Sequence, residues 1–494
     1  MLAAVVAEKN FESASNSIKK ANGADLIELR LDYIEDFEVV KLKRLLKNCK
    51  NPVIVTNRKK GEGGFFKGGE KERIQILKKS IDSGADYIDI ELSSGINSVK
   101  ELIKNKKKSK IIVSYHDFYG DSADIIGKYN EIKKLKPDLI KIVTKAGSVT
   151  GNFKIFDLIK KADKENRKII AFCMGSYGEF GRILSIILGS RIIYASLSKG
   201  KESASGQFTL DELNSYRIKK LDKNTKIAGL IGNPVEHSWS HIMHNAAFDR
   251  MDVNAVYLKF RVDKLKEFID YFRKLNCIGF GVTIPHKINV IRYIDGIDKK
   301  AKEIGAVNTI VAKKGKLTGY NTDCYGAIQS LKQRTKLKNR NVVVLGAGGS
   351  SRAITYGLLE ENANVTVLNR TLKNAKLIAN DFDCGYGSLY DLKNINYDIL
   401  VNTTPVGMHP DLDKSPVPLN LVRKGTVVFD IVFNPYKTKI LKYAEKKGCV
   451  VVPGIEMLVN GNVLQFKLWT GKNAPEQFMR KKIMEYLKNV SHQN

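Results

Sequence analysis

No apolar run in this 494-residue sequence is long enough to span a bilayer as a helix. The N-terminal stretch LAAVVAEKN has neither a charged leader nor a small-residue cleavage pattern, so it reads as a first strand and not as a targeting segment. No C-x-x-C occurs among the six scattered cysteines, Cys49, Cys173, Cys277, Cys324, Cys384 and Cys449. That argues against a zinc ribbon and for a reducing, cytoplasmic setting. Acidic residues are few, 52 against 83 Lys and Arg, for a formal net charge of +31. The excess is not gathered in a tail: residues 1–226 hold 44 basic and 29 acidic side chains, and the remainder holds 39 and 23. Even the densest run, KNKKKSK at 104–110, lacks the interleaved aromatics of a nucleic-acid stripe. The charge therefore reads as a solvated lysine-rich surface that gathers small anions, with neither a nucleic-acid nor a membrane partner expected. What is present is a globular composition, 43% hydrophobic and 9% aromatic, over a length that calls for two or three domains.

Eight short apolar segments run in order through residues 1–222: LAAVVA (2–7), LIELRLD (26–32), VIVTNR (53–58), YIDIEL (87–92), KIIVSYHD (110–117), LIKIVT (139–144), IIAFCM (169–174) and IIYASL (192–197). Helix-compatible stretches such as ERIQILKKSIDSGA separate most of them. Strand–helix alternation repeated eight times predicts a closed (β/α)8 barrel, whose chemistry sits at the C-terminal ends of its strands. Polar residues gather there: Glu28 and Arg30, Arg58 and Glu62, Glu91, His116, Arg182, and Ser203 with Gln207. Lys141 stands between Ile140 and Ile142, so alternation turns it into the barrel. Two readings stay open for it: an imine-forming nucleophile, which burial would favour by lowering its pKa, or a structural partner of Glu91.

The segments ELRLD, TNRKKGEGG, SYHDF, LIKIV, MGSYGEFGR and SASGQF together resemble the motifs of type I 3-dehydroquinate dehydratase, in that family's order. The resemblance implies that Lys141 forms an imine with the substrate ketone. It implies that His116 removes the adjacent proton and protonates the departing hydroxyl, with Glu62 orienting His116. Glu28, Arg30, Arg58, Arg182, Ser203 and Gln207 would hold the substrate's carboxylate and hydroxyls. Gly181 and Ser205 depart from the family's usual serine and proline.

The polar stretch LDKNTK (221–226) reads as a short linker. Beyond it, VVVLGAGGSSRAITYGLLEENANVTVLNRT (342–371) is a strand, a glycine turn, a helix and a second strand. Gly346 suits the tight turn, and Gly348 and Gly349 let backbone approach a pyrophosphate at the helix N-terminus. The second strand ends in Asn369-Arg370-Thr371, with no acid to bind a ribose 2′-hydroxyl, so NADP is expected over NAD. GNPVEHSWS, GFGVTIPHK, GAVNTI, GYNTDCYG, NTTPVGM and PGIEMLV resemble shikimate dehydrogenase. By that resemblance Ser238 and Ser240 bind the substrate carboxylate. Thr283, Asn308 and Thr322 bind ring hydroxyls. Lys287 and Asp323 flank the reacting carbonyl, with Lys287 the proton donor, and Gly454 lines the nicotinamide pocket.

The expected architecture is thus α/β throughout: a barrel over 1–222, an α/β substrate domain over 226–335, a Rossmann-like NADP domain over 336–455, and C-terminal helices over 456–494 returning to the substrate domain. The expected function is a fusion that dehydrates 3-dehydroquinate and reduces 3-dehydroshikimate to shikimate with NADPH. A C-terminal half acting on quinate, or serving as an NADP-binding scaffold, stays open. Phe433 replaces the family's usual tyrosine, Gly461 its substrate-touching glutamine, with Gln465 one turn later, and His241 a proline. Asn374 stands where a second basic residue often supports the 2′-phosphate. His237, His241 and His244 have helical spacing, but His237 belongs to the loop before the helix, and no metal site is expected. The sequence sets no oligomeric state.

Overall fold

The computed structural model describes residues 1–120 and 124–491. The chain divides into two compact units, Met1–Thr225 with Phe260–Tyr271, and Lys226–Lys259 with Phe272–Asn494. The first unit thus takes in a short stretch, 260–271, that the sequence reading places wholly in the second half. At the end of the first unit Asp222 N–H donates to Thr225 Oγ1, and Lys223 pairs with Asp163 at 2.7 Å. Among the described residues no helix is long and apolar enough to cross a membrane.

The first unit is built on eight parallel strands: β1 (Leu2–Val6), β2 (Leu26–Arg30), β3 (Val53–Thr56), β4 (Tyr87–Glu91), β5 (Lys110–His116), β6 (Leu139–Lys145), β7 (Ile169–Met174) and β8 (Ile193–Ala195). Their order is β7-β6-β5-β4-β3-β2-β1-β8. The closed ladder expected from the sequence is not complete among the described residues, because no β7–β8 ladder forms. β8 is only three residues long, so the seam is stitched instead by Arg191 N–H to Ile169 O and Ala171 N–H to Ser190 Oγ.

The inward rows of these strands are graded. Leu26, Ile54, Tyr87, Ile112 and Leu139 form an apolar layer at the N-terminal end of the barrel interior. Two residues further along, the same rows carry Glu28, Thr56, Asp89, Ser114 and Lys141, all buried. The period of two turns both sets inward, so one layer supplies packing and the next supplies chemistry.

The second unit holds two sheets. One joins β9 (Lys226–Gly232), β10 (Ala255–Arg261), β11 (Cys277–Val282), β12 (Gly296–Ile297), β13 (Thr309–Lys313) and β14 (Lys316–Tyr320), in the order β10-β9-β11-β13-β14-β12. The other joins β15 (Asn341–Leu345), β16 (Asn364–Leu368), β17 (Gly385–Gly387), β18 (Ile399–Asn402), β19 (Val427–Asp430) and β20 (Val450–Pro453), in the order β17-β16-β15-β18-β19-β20. The latter is the doubly wound dinucleotide order, with its switch point between β15 and β18. Val342 and Val344 face one apolar cluster while Val343 and Leu345 face another, as a sheet covered on both sides requires.

The helix Gly454–Thr470 runs from the end of β20 onto the first sheet, where Trp469 Nε1 donates to Ile310 O. It also crosses the helix Thr322–Lys332 at close range. A Cβ on Gly326 would lie 2.7 Å from Met457 O and 3.1 Å from Gly461 N, so the two helices approach through their glycines.

Candidate active sites

Nearly all of the polar residues singled out in the first half meet in one cavity of about 320 Å³, lined among others by Glu28, Arg30, Arg58, Glu62, His116, Lys141, Arg182, Ser203 and Gln207. Lys141 is 4% exposed and its Nζ lies 2.8 Å from Asp89 Oδ2, 3.7 Å from Glu28 Oε1 and 4.4 Å above the Tyr194 ring. The partner is therefore Asp89 and not Glu91. Glu91 lies level with Ser114, and Ser114 with Lys141, in the strand register. Its oxygens are taken by Arg58 at 2.9 Å and Arg73 at 2.7 Å, which leaves Lys141 to the carboxylate one step below. Burial alone would raise the pKa of Asp89, but Arg58 and Lys141 outweigh it and hold this carboxyl well below the usual range. Asp89 and Tyr194 were missed by the sequence reading. Asp89 carries the same signal as Lys141, a charge between two isoleucines on an inward row.

His116 ends β5 and its Nδ1 lies 2.9 Å from Glu62 Oε2. Glu62 arrives on a single 3-10 turn, Lys60–Glu62, which Gly63 closes at φ 75°. A Cβ on the next residue, Gly64, would fall 1.9 Å from Arg58 O, so the G-E-G-G sequence is what folds Glu62 back over the cavity. Burial, with Arg58 and Lys141 close by, holds the His116 pKa well below its ordinary value. Burial raises that of Glu62, against the hydrogen bond donated by Ser93. A carboxylate partner only accepts, so Nδ1–H donates to Glu62 and the Nε2 lone pair is left as a base.

The three arginines differ. Arg30 donates to Asp32 through two nitrogens at 2.8 and 2.6 Å, and Arg58 is engaged by Asp89, Glu91 and Ser114. Arg182 packs over the Phe172 ring, donates to Ser205 O at 3.0 Å and has, among the described residues, no partner for its buried Nε. Burial lowers its pKa to about 10, so it remains a cation with donors to spare. Ser203 N–H donates to Gln207 Oε1 at 2.8 Å, so this amide is oriented at the cavity wall.

In the second unit Lys287 Nζ lies 2.5 Å from Asp323 Oδ2 and donates to Ser350 Oγ at 3.1 Å. Asn308 Nδ2 donates to Asp323 Oδ1 at 2.7 Å and to Thr322 Oγ1 at 3.0 Å, and Thr322 N–H donates to Asn308 Oδ1. These four residues form one cluster. Ser240 is buried and its N–H donates to Ser238 Oγ at 3.4 Å, while Thr283 is half-buried in the turn after β11. Phe433 packs edge-on against Trp239, which precedes Ser240. His237 is exposed and His244 is fully buried, stacked 4.6 Å from Tyr257 with Nε2 2.6 Å from Asn462 Oδ1. No metal-holding group of His, Cys, Asp and Glu occurs among the described residues.

The glycine turn after β15 fits a dinucleotide. Gly346 has φ 109°, and a Cβ there would meet Thr403 Oγ1 at 2.6 Å. Gly348 opens onto free space, and the helix Gly349–Glu360 begins without a side-chain cap, leaving its N–H groups to an anion. Gly349 lies against Lys287, which ties the turn to the lysine–aspartate pair. Arg370 and Thr371 are exposed at the end of β16, beside Asn369, whose Nδ2 donates to Thr371 O. Gly454 is packed against Ile431 and Val432, where a Cβ would lie 2.3 Å from Ile431 O.

Three family models match the chain: type I 3-dehydroquinase over residues 2–221, shikimate dehydrogenase substrate binding domain over 230–310, and shikimate/quinate 5-dehydrogenase over 329–433. The bifunctional 3-dehydroquinate dehydratase/shikimate dehydrogenase of Arabidopsis thaliana, described as chloroplastic, is 37% identical over 479 residues, covering 92% of this chain and 79% of that one. The NADP(+) shikimate dehydrogenase of Methanococcus maripaludis is 44% identical over 276 residues, 53% of this chain and 98% of the relative. The crystal structure of the Thermus thermophilus enzyme with NADP(H) and shikimate matches with a TM-score of 0.50 at 32% identity, over 53% of this chain and 99% of that one. With a relative of this identity over 92% of its own length, the chain belongs to the family of bifunctional 3-dehydroquinate dehydratase/shikimate dehydrogenases.

Proposed function

We propose that the chain carries out two consecutive steps, dehydrating 3-dehydroquinate to 3-dehydroshikimate and reducing that product to shikimate with NADPH. The observation that carries the reading is Lys141, buried in the same cavity as a histidine whose Nδ1 is held by Glu62. Lys141 Nζ condenses with the substrate ketone and expels water, and the imine becomes an electron sink. His116 Nε2 takes the proton from the adjacent carbon, then returns a proton to the departing hydroxyl. Hydrolysis frees Lys141. Arg182 is the cation with unspent donors and binds the substrate carboxylate, helped by Ser203 and Gln207.

In the second unit, bound NADPH supplies the hydride. The turn at Gly346–Gly349 would receive its pyrophosphate and Arg370 its 2′-phosphate. Lys287 donates the proton to the carbonyl oxygen, Asp323 holds Lys287, and Asn308, Thr322, Thr283, Ser238 and Ser240 bind the substrate. An intact Lys287–Asp323 pair beside the glycine turn weighs against a mere scaffold. A cytoplasmic location belongs to the same proposal and rests on six scattered cysteines, all free thiols. The test is a coupled assay: supply 3-dehydroquinate and NADPH, and follow NADPH loss and product. Shikimate should accumulate. Reduction of 3-dehydroquinate directly to quinate would reassign the second half.

A further inference from the structure

The helix Gly454–Thr470 places Gln465 against β13, and its amide reaches the catalytic cluster through a single intermediary. Gln465 Nε2 donates to Thr309 Oγ1 at 2.9 Å, and Thr309 is wholly buried. A hydroxyl that accepts from an N–H still has one proton to give. The Thr309 hydroxyl gives it to Asn308 Oδ1 at 2.9 Å. Asn308 Oδ1 also accepts from Thr322 N–H at 2.7 Å and from Thr322 Oγ1 at 3.2 Å, so this oxygen is held by Thr309 on one side and Thr322 on the other. The amide then has only one orientation, with Nδ2 facing Asp323 Oδ1 at 2.7 Å. Asp323 Oδ2 is left for Lys287.

We propose that Gln465 is a positioning residue for the reduction, fixing the direction of a hydrogen-bond chain that runs through Thr309 and Asn308 to Asp323 and so aims Lys287. The inference rests on the reading of Lys287 and Asp323 as the reducing pair. The polar link is local to this chain's own packing: Gly461, on the same helix face one turn earlier, has no side chain and lies beside Thr322, so Gln465 is the residue of that face that supplies the amide. Removing the donor lets the Thr309 hydroxyl turn toward Thr322 Oγ1, 3.1 Å away, and Asn308 Oδ1 then keeps only its contacts with Thr322. The lesion lies in alignment, and neither cofactor contact nor dehydration depends on it.

The experiment is a double-mutant cycle on the full chain with Gln465→Leu and Thr309→Val, both near-isosteric, with Thr309→Ser as the conservative variant. Each of the first two should lower kcat/KM for 3-dehydroshikimate reduction about tenfold, and the double variant should be no worse than either, because both break the same chain. Thr309→Ser should stay within about threefold of wild type. NADPH dissociation constants and dehydration of 3-dehydroquinate should not change, the latter reporting folding of the same polypeptide. Single variants at wild-type kcat/KM would overturn the proposal. So would a double variant showing the product of the two losses, or a serine variant as impaired as the valine. Lys287→Ala, run in parallel, separates the two levels: if it still reduces substrate, the reading of the pair fails, whereas inactivity of Lys287→Ala beside a fully active Gln465→Leu sinks only the relay.

Discussion

Lys141 Nζ and Asp89 Oδ2 stand 2.8 Å apart inside the barrel, with Arg58 sharing the same carboxylate oxygen at 2.9 Å. Two cations therefore lean on one buried anion. Asp89→Asn keeps the shape and removes the charge, and breaking a buried pair from one side costs about 3–5 kcal/mol. The variant should lose stability on that scale and dehydrate at least about a hundredfold more slowly, because Lys141 loses its anchor. Denaturant unfolding followed by a probe in the first unit, together with dehydration kinetics, would decide. Wild-type values in both would show that Asp89 is dispensable.

Borohydride added during turnover should leave a reduced substrate adduct on Lys141, mapped by peptide mass. Lys141→Ala should abolish dehydration while reduction of supplied 3-dehydroshikimate continues, and Lys287→Ala should do the converse. An adduct on another lysine would move the imine elsewhere.

His116 should titrate well below pH 6.5. Burial, Arg58 and Lys141 all disfavour its cationic form, so the base needed for proton abstraction stays neutral at lower pH than a free imidazole would. NMR of labelled histidines, with His116→Asn for assignment, measures this in the unliganded protein. A His116 midpoint near 6.5 would contradict it.

His244 predicts a pH-dependent stability of the second unit. Burial pushes its pKa from 6.5 down to about 4. A base with a depressed folded pKa binds its proton more readily when unfolded, so its contribution is full above pH 6.5 and is lost as pH falls toward 4. At about 1.4 kcal/mol per pH unit this amounts to about 3 kcal/mol over the window. Unfolding free energies measured across that range should show the slope in wild type and a flatter one in His244→Gln.

Arg370 is exposed at the end of β16, and the described structure gives it no acidic partner. A charge-assisted contact from Arg370 to a 2′-phosphate would be worth about 1.5–3 kcal/mol, or about 10- to 100-fold in affinity. Arg370→Ala should narrow the preference for NADPH over NADH by that factor. Equal use of both cofactors by wild type would remove the basis of the assignment.

Both folds were legible because their signals are local. Eight apolar runs and a glycine turn between two strands report period and turn chemistry directly, and IIAFCM matches β7 residue for residue. Lys141 was legible because an ammonium between isoleucines violates the pattern of a buried strand. Its true partner was not, since Asp89 and Glu91 share one inward row and only the arginines decide which carboxylate is left. Gln465 was visible as a glutamine one turn from Gly461, but its reach to Thr309 depends on two helices crossing at Gly326 and Gly461, a distance with no trace in either segment alone. The incomplete β7–β8 ladder was hidden for a similar reason: IIYASL has the composition of a six-residue strand, yet only Ile193–Ala195 are in strand geometry.

That seam differs from the other strand junctions of the first unit in what holds it together. Parting β7 from β8 disrupts one main-chain rung and the Ser190 hydroxyl, whereas parting neighbours elsewhere breaks a whole ladder. The loop after β8, which carries Ser203 and Gln207, is tied to the end of β7 by Gly175 N–H to Ser205 O. The line of fewest main-chain bonds therefore borders Ser203 and Gln207, while Lys141 and His116 stand on β6 and β5, which a full ladder joins. Under denaturing stress the barrel should open first at this point of least backbone cohesion, before the strands that carry Lys141 and His116 separate.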